Sequence, residues 1–209
     1  PDVVAMDEPP AQVLRHKQSS SMWQAVDQVR CNQADACVSA GNTGALMAVG
    51  RYLLKTFPGV DRPAICKPVP TRLSSGELAH CYLLDLGANI NSDADQLLQF
   101  ALMGAVLAST LDNTAEPRIG LLNIGQEALK GSENIKLAAS FMSDNPFLNY
   151  IGFIEGDGIF ADRADVVVCD GLLGNIALKT SEGAARLMAH QLEAEFTSSL
   201  FGRLIGRIA

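Results

Sequence analysis

Short apolar runs that close on Asp or Asn and then meet a glycine punctuate this chain. Ala36-Cys37-Val38 runs into Gly41-Asn42-Thr43-Gly44, followed by the apolar Ala45-Leu46-Met47. Tyr82-Leu83-Leu84-Asp85 runs into Gly87-Ala88-Asn89, and Leu121-Leu122-Asn123 runs into Gly125. Val166-Val167-Val168-Cys169-Asp170 runs into Gly171, Gly174 and Asn175. Continuous apolar runs of this length fit strands buried on both faces of a parallel sheet. The first cluster reads as a short strand, a glycine turn and a helix start capped by Asn42 or Thr43. Ligands of open α/β sheets sit beyond the carboxyl ends of the strands, so the clusters are expected on one edge, forming one site. Free N–H groups at a helix start suit an anion there.

Between these runs, apolar residues at helical spacing predict helices over 22–29, 46–56, 94–111, 134–143 and 178–209. Ser19-Ser20-Ser21 offers a cap for the first. A further strand is read at 150–154, ahead of Glu155-Gly156-Asp157-Gly158. Prolines break residues 1–10, and Pro63, Pro68 and Pro70 predict irregular or edge-strand structure. Gly104, inside a helix, predicts the close approach of a neighbour such as a dimer partner. Alternating strands and helices predict one α/β domain over 1–209, a three-layer, Rossmann-like fold with a mostly parallel sheet, its C-terminal helix at 184–209.

Composition narrows the partners. With 16 basic and 23 acidic residues, a net charge of -7, the chain lacks the basic surface that nucleic acid requires. No uncharged apolar run of about 18 residues is read, which predicts no membrane span and a cytoplasmic protein. The five cysteines form no CxxC and read as reduced, mostly core thiols. His16, His80 and His190 show no metal spacing, so no metal and no cofactor are expected. Arg51, Lys55, Arg62, Lys67 and Arg72 face only one acid, Asp61, within their stretch. That excess reads as a solvated face or as a dock for an acidic carrier protein. The chain opens Pro-Asp and stops at Arg207-Ile208-Ala209 inside a helical pattern, which predicts part of a longer protein.

The clusters carry a resemblance as well. VSAGNTGALM at Val38–Met47, Arg62-Pro63-Ala64, LLDLGAN at Leu83–Asn89, GLLNIGQEALKG at Gly120–Gly131 and ADVVVCDGLLGNIALKTSEG at Ala164–Gly183 resemble the phosphate acyltransferase family of bacterial phospholipid synthesis. The resemblance extends from about residue 15 to residue 183. It implies formation of acyl phosphate from acyl-(acyl-carrier protein) and orthophosphate, with a membrane-bound glycerol-3-phosphate acyltransferase as the consumer. It also implies an architecture shared with isocitrate/isopropylmalate dehydrogenases and phosphotransacetylases, a homodimer, and a peripheral membrane habit. The family's earlier strand with a Gly-Gly-Asp turn and its further C-terminal segment are not in this chain.

Transfer between a thioester and orthophosphate needs no nucleophilic triad, because both reactants are already activated. It needs donors that hold a dianion and an oxyanion. The motif match makes Lys130 the expected charged contact, Asn175 a neutral amide donor and Asp170 an orienting group for Lys130, Asn175 or the turn amides. Ser39, Gly41, Asn42, Thr43, Gly44, Asn89, Gly125, Gly171 and Gly174 are the expected substrate-binding turn residues, with Lys17, Ser20 and Ser21 nearby. Leu172-Leu173 stands where the family has an aromatic residue, which is expected to alter the acyl pocket wall. An acyl-CoA-dependent, phosphotransacetylase-like enzyme is the alternative with the same chemistry. A non-enzymatic scaffold of lipid synthesis leaves the turns unexplained. A dehydrogenase is disfavoured, because no GxGxxG with an acid about 20 residues on is present. Phe196, Leu200, Phe201, Leu204, Ile205 and Ile208 beside Arg203 and Arg207 predict a helix that packs in a dimer, lies on anionic lipid or belongs to the core.

Overall fold

The computed structural model describes residues 2–73, 75–127 and 129–198. Three helices come first: α1 (Pro10–His16), α2 (Ser21–Arg30) and α3 (Thr43–Leu54). They pack Val4, Val13, Met22, Val26, Ala45 and Val49 into a small core of their own. Pro10 at the start of α1 acts as a helix initiator, since its missing N–H has no intrahelical partner to lose. The expectation that residues 1–10 are simply broken misses this helix. The expected strand before Gly41 does not form either. Residues 36–40 are irregular and Val38 is 96% exposed. A strand needs a neighbour for its backbone groups, and among the described strands none runs beside it.

The sheet comprises β1 (Cys66–Arg72), β2 (Leu78–Leu84), β3 (Arg118–Leu122), β4 (Asn149–Ile154) and β5 (Val166–Val168), in the order β1-β2-β5-β3-β4. β1 pairs antiparallel with β2, and every other pairing is parallel. Pro68 and Pro70 lie two apart on β1, so their missing N–H groups fall on one side. The unbroken ladder with β2 places that side on the open edge.

α4 (Ala94–Asp112) connects β2 to β3 across β5, and α5 (Glu133–Ser143) connects β3 to β4. Both cover one face, where Tyr82, Leu84, Leu97, Phe100, Ile119, Leu121, Val166 and Val168 form the main core. Cys81, Leu83, Val167 and Cys169 point to the other face, onto Ile159 of a short 3-10 turn (Gly156–Phe160) and Leu178 of α6 (Gly171–Ser198). A helix on each face of a mostly parallel sheet gives the three layers that the alternation predicts.

The close approach expected at Gly104 is found, without a dimer partner, and one expectation is corrected. The neighbour that Gly104 admits is its own sheet: a Cβ there would stand 2.6 Å from Val166 Cγ1 and 3.3 Å from Leu84 Cδ1. α4 is also long and apolar enough to cross a membrane. Its Leu97, Phe100, Ala101, Gly104 and Ala108 are buried with the main core or against the sheet, so here it is a core helix.

Candidate functional site

Because β2, β5, β3 and β4 are parallel, Asp85, Asp170, Asn123 and Glu155 all leave the sheet on the same edge. Asp85 is the centre of that edge. Its side chain is fully buried, and Oδ1 accepts from the N–H of Ile65 (2.8 Å) and Ala88 (3.2 Å). Oδ2 accepts from Asn89 N–H (2.7 Å) and from Asn89 Nδ2 (3.0 Å). These hydrogen bonds fix the turn through Gly87, whose φ of 109° lies in the region that favours glycine.

The first turn of α6 docks on that turn. Gly171 N–H donates to Asn89 O (3.0 Å), and the Cys169 thiol donates to Asp85 O (3.2 Å). A Cβ on Gly174 would collide with Asp85 O, and one on Gly171 would collide with Asn89 O. A Cβ at Gly87 would stand 3.4 Å from Asn175 Cβ. The glycines therefore bring Asn175 beside the Gly87–Asn89 turn, and α6 starts at Gly171 rather than at residue 178. Periodicity could not show that start, because glycine reads as a break when its packing partner is more than 80 residues away.

Asp170 is engaged with turn amides, the third of its expected partners. Oδ2 accepts from Ser92 N–H (2.7 Å) and Oδ1 from Leu172 N–H (2.9 Å). Asn134 Nδ2 donates to Ser92 O (2.7 Å), which ties the start of α5 to the same loop. The result is a concavity of about 510 Å³ lined by Ser92, Asp93, Ser132, Asn134, Asp170 and Leu172, among others. Ser92 is 3% exposed and its hydroxyl lacks a partner among the described residues. Ser92, Ser132 and Asn134 carry no glycine signature, so sequence reading passes over them.

Asn123 closes the third loop, with Nδ2 donating to Gly125 O (3.1 Å) and Lys130 O (3.2 Å). Gly131, at φ 89°, lies against the Asn123 side chain. Lys130 is exposed, and its ammonium forms no ion pair among the described residues.

The first cluster divides. Asn42 caps α3, accepting from Ala45 N–H (3.0 Å), while Nδ2 donates to Ala5 O, Met6 O and Glu8 O. It is a buried brace for the N-terminal helices, so its expected substrate contact is replaced by a structural one. Ser39 Oγ accepts from Gly41 N–H (3.2 Å). Thr43 and Gly44 are exposed at the α3 start, and Gly44 lines a second cavity together with Asn89. Lys17 Nζ donates to Val3 O (3.3 Å) and pairs with Glu8 (3.5 Å), and Ser21 begins α2. Neither lines these two cavities. Ser20, not Ser21, caps α2 by accepting from Trp23 N–H (3.2 Å).

Burial pushes the thiols upward: Cys66 to about 11, Cys81 to about 12 and Cys169 further still. Cys81 and Cys169 are buried, Cys37 and Cys66 are half-buried and Cys31 is exposed, so fewer of the five are core groups than expected. Of the basic residues at 51–72, Lys67 is paired with Glu182 (3.1 Å) and Lys55 lies over the Tyr52 ring, whereas Arg51 and Arg62 line the cavity with Asn89.

Residues 1–208 match the family described as fatty acid synthesis protein. The chain belongs to that family. A phosphate acyltransferase of Alkalilimnicola ehrlichii is 57% identical over all of this chain and 59% of its own length. One of Ectopseudomonas mendocina is 55% identical over all of this chain and 60% of its own length. The family member described here thus spans about three fifths of these curated relatives. Two of the solved structures that share its fold are phosphotransacylases by name. EutD phosphotransacetylase from Staphylococcus aureus gives a TM-score of 0.57 at 18% identity, covering 84% of this chain and 62% of that one. A branched-chain phosphotransacylase from Enterococcus faecalis gives 0.53 at 18% identity, covering 76% and 62%.

Proposed function

We propose that the protein to which this chain belongs forms acyl phosphate from a fatty acyl-(acyl-carrier protein) and orthophosphate, a first step toward phospholipid. The observation that carries this is the match, over the whole chain, to relatives named phosphate acyltransferase. The edge geometry agrees with it. The carboxyl edge offers donors: the Lys130 ammonium, the Asn175 amide and the first-turn N–H groups of α3 and α5. The three histidines belong elsewhere, with His80 paired to Asp112 at the end of α4 (3.1 Å).

In this reading, an orthophosphate oxygen attacks the thioester carbonyl carbon. The new C–O bond forms as the C–S bond breaks, and the thiolate takes the proton that orthophosphate loses. Lys130 neutralises the dianion or the developing oxyanion, and Asn175 donates a neutral hydrogen bond to the same charge. Asp170 acts through the Ser92 and Leu172 amides that it holds. Gly171 and Gly174, with Gly125 in the Lys130 loop, let the turns close around the reactants.

The partners of this reading are acyl carrier protein and orthophosphate, with a glycerol-3-phosphate acyltransferase receiving the product. A homodimer at the cytoplasmic membrane surface completes it, supported by the exposed Leu187, Met188, Leu192 and Phe196 of α6. The rest of the expected apolar stripe, Leu200 to Ile208, lies outside the described residues. The test is turnover of the full-length protein with orthophosphate and matched acyl-carrier-protein and acyl-CoA thioesters. Acyl phosphate from the carrier-protein thioester is expected, and equal rates with CoA would reassign the donor. No acyl phosphate from either thioester would overturn the reading.

A further inference from the structure

One face of α3 lines the cavity beside Asn89. Gly44, Met47, Ala48 and Arg51 follow the i, i+3, i+4, i+7 spacing of a single helical stripe, and Arg62, Pro63, Ala88 and Asn89 form the opposite wall. The volume of this open cavity is about 180 Å³. Seven helical steps lead from Gly44 to Arg51, a run of roughly 10 Å. Asn89 Nδ2 donates to Pro63 O (2.9 Å), which fixes the Arg62-Pro63 wall against the catalytic turn.

Two arginines therefore line one concavity, and neither forms an ion pair among the described residues. The adjacent acid, Asp61, is engaged elsewhere. Its N–H donates to Gln99 Oε1 (2.8 Å), and its carboxylate accepts from Gln99 Nε2 (2.9 Å). In a chain of net charge -7, two cations left without a carboxylate in a concave site form a local positive field suited to an anion. Guanidinium groups match the planar, multi-oxygen geometry of a phosphoryl group. Thr43 and Gly44 add backbone N–H groups at the α3 start, which also favour negative charge.

We propose that Arg51 and Arg62 bind a phosphoryl group in this groove, namely the phosphate that closes the pantetheine arm of the acyl donor. This rests on the acyltransferase reading above. Thioester donors of both carrier classes present sulfur at one end of an extended pantetheine arm and a phosphate at the other. The groove offers a phosphate subsite and apolar walls for the adjoining part of the arm. Arg51 lies at one end of the stripe, the apolar Met47, Ala48, Pro63 and Ala88 line its walls, and Asn89 meets the turn that holds Asn175. The arm's phosphate would anchor the donor while its thioester reaches the carboxyl edge.

The experiment compares full-length wild type with the Arg51→Gln/Arg62→Gln pair, and with Arg62→Lys as a milder variant. The substrates are an acyl-phosphopantetheine thioester, the same thioester lacking the phosphate, and orthophosphate. Wild type is expected to prefer the phosphorylated thioester by about tenfold or more in kcat/KM, and the double variant is expected to lose that preference. A rise confined to the KM for orthophosphate would keep the phosphoryl-binding assignment and transfer it to the co-substrate. Unchanged preference and unchanged KM for orthophosphate, in a variant with wild-type Tm, would overturn the proposal. Absence of turnover by wild type on every thioester would instead reject the acyltransferase reading.

Discussion

At the scale of single residues, glycine carries two opposite meanings in α6. Gly174 packs where a Cβ would overlap Asp85 O and stand 2.7 Å from Cys169 Sγ, whereas a Cβ at Gly183 would meet nothing within 4 Å. Gly174→Ala is therefore expected to destabilise by about 1–3 kcal/mol or more, as overpacking does. Gly183→Ala is expected to stabilise by about 0.5–1 kcal/mol through helix propensity. Urea unfolding of both variants checks the pair, and equal signs would refute the packing account. Lys130 poses a chemical question instead. If the acyltransferase reading holds, Lys130→Ala in the full-length protein is expected to lower kcat/KM about 30- to 1,000-fold, or roughly 2–4 kcal/mol, with unchanged Tm. Wild-type turnover in that variant would remove Lys130 from the chemistry.

At the scale of elements, the start of β3 is fastened to the approach to β5 by charge. Arg118 pairs with Asp165 (2.8 Å) and Asp162 (2.8 Å), and its backbone N–H donates to Asp165 Oδ2 (2.7 Å). Burial alone would raise the Asp165 carboxyl, but the hydrogen bonds from the Arg118 side chain and backbone outweigh it and hold Asp165 below its ordinary value. A depressed folded value means stabilisation that is complete above the unfolded value of about 3.9 and lost as pH falls through the lower folded one. Asp165→Asn should thus lower the urea midpoint at pH 7. The gap from wild type should narrow as pH drops from about 5 toward 3. A gap constant over that range would show that the carboxylate charge is not what fastens the two strands.

At the scale of the whole molecule, exposed charge and exposed apolar surface point to different partners. If the basic residues along 51–72 attract an acidic carrier, its affinity should weaken as salt rises, because exposed charges are screened beyond about 8 Å at physiological ionic strength. Reversing Arg72 to Glu, which lies outside the Asn89 cavity, should slow turnover with intact carrier protein more than turnover with a short thioester lacking the carrier. Equal loss in both assays would indicate a folding defect. The exposed Leu187, Met188, Leu192 and Phe196 of α6 suit a second copy of the chain or a lipid surface. Sedimentation of the full-length protein with anionic vesicles should fall when Leu192 and Phe196 are changed to Ser. Unchanged sedimentation would reject a lipid role for these residues.

Some of this was legible in contiguous residues, and the reason is local. Apolar runs closing on Asp or Asn mark strands whose backbone and side-chain pattern lie within five residues, so β2, β3 and β5 and their shared edge follow from the sequence. The Asn42 cap is local too, because the acceptor and the Ala45 N–H it satisfies are three residues apart. Strand order is not local. Only the arrangement β1-β2-β5-β3-β4 sets Asp85 beside Cys169–Gly174 and makes Gly171 and Gly174 a packing surface rather than a turn. The same holds for Asn42, whose amide finds three carbonyls more than 30 residues earlier and so becomes a brace. Arg51 and Arg62 read as surface charge in the sequence. They become a shared concavity only when α3 is laid against the Ala88-Asn89 turn, a contact between segments that no periodicity relates.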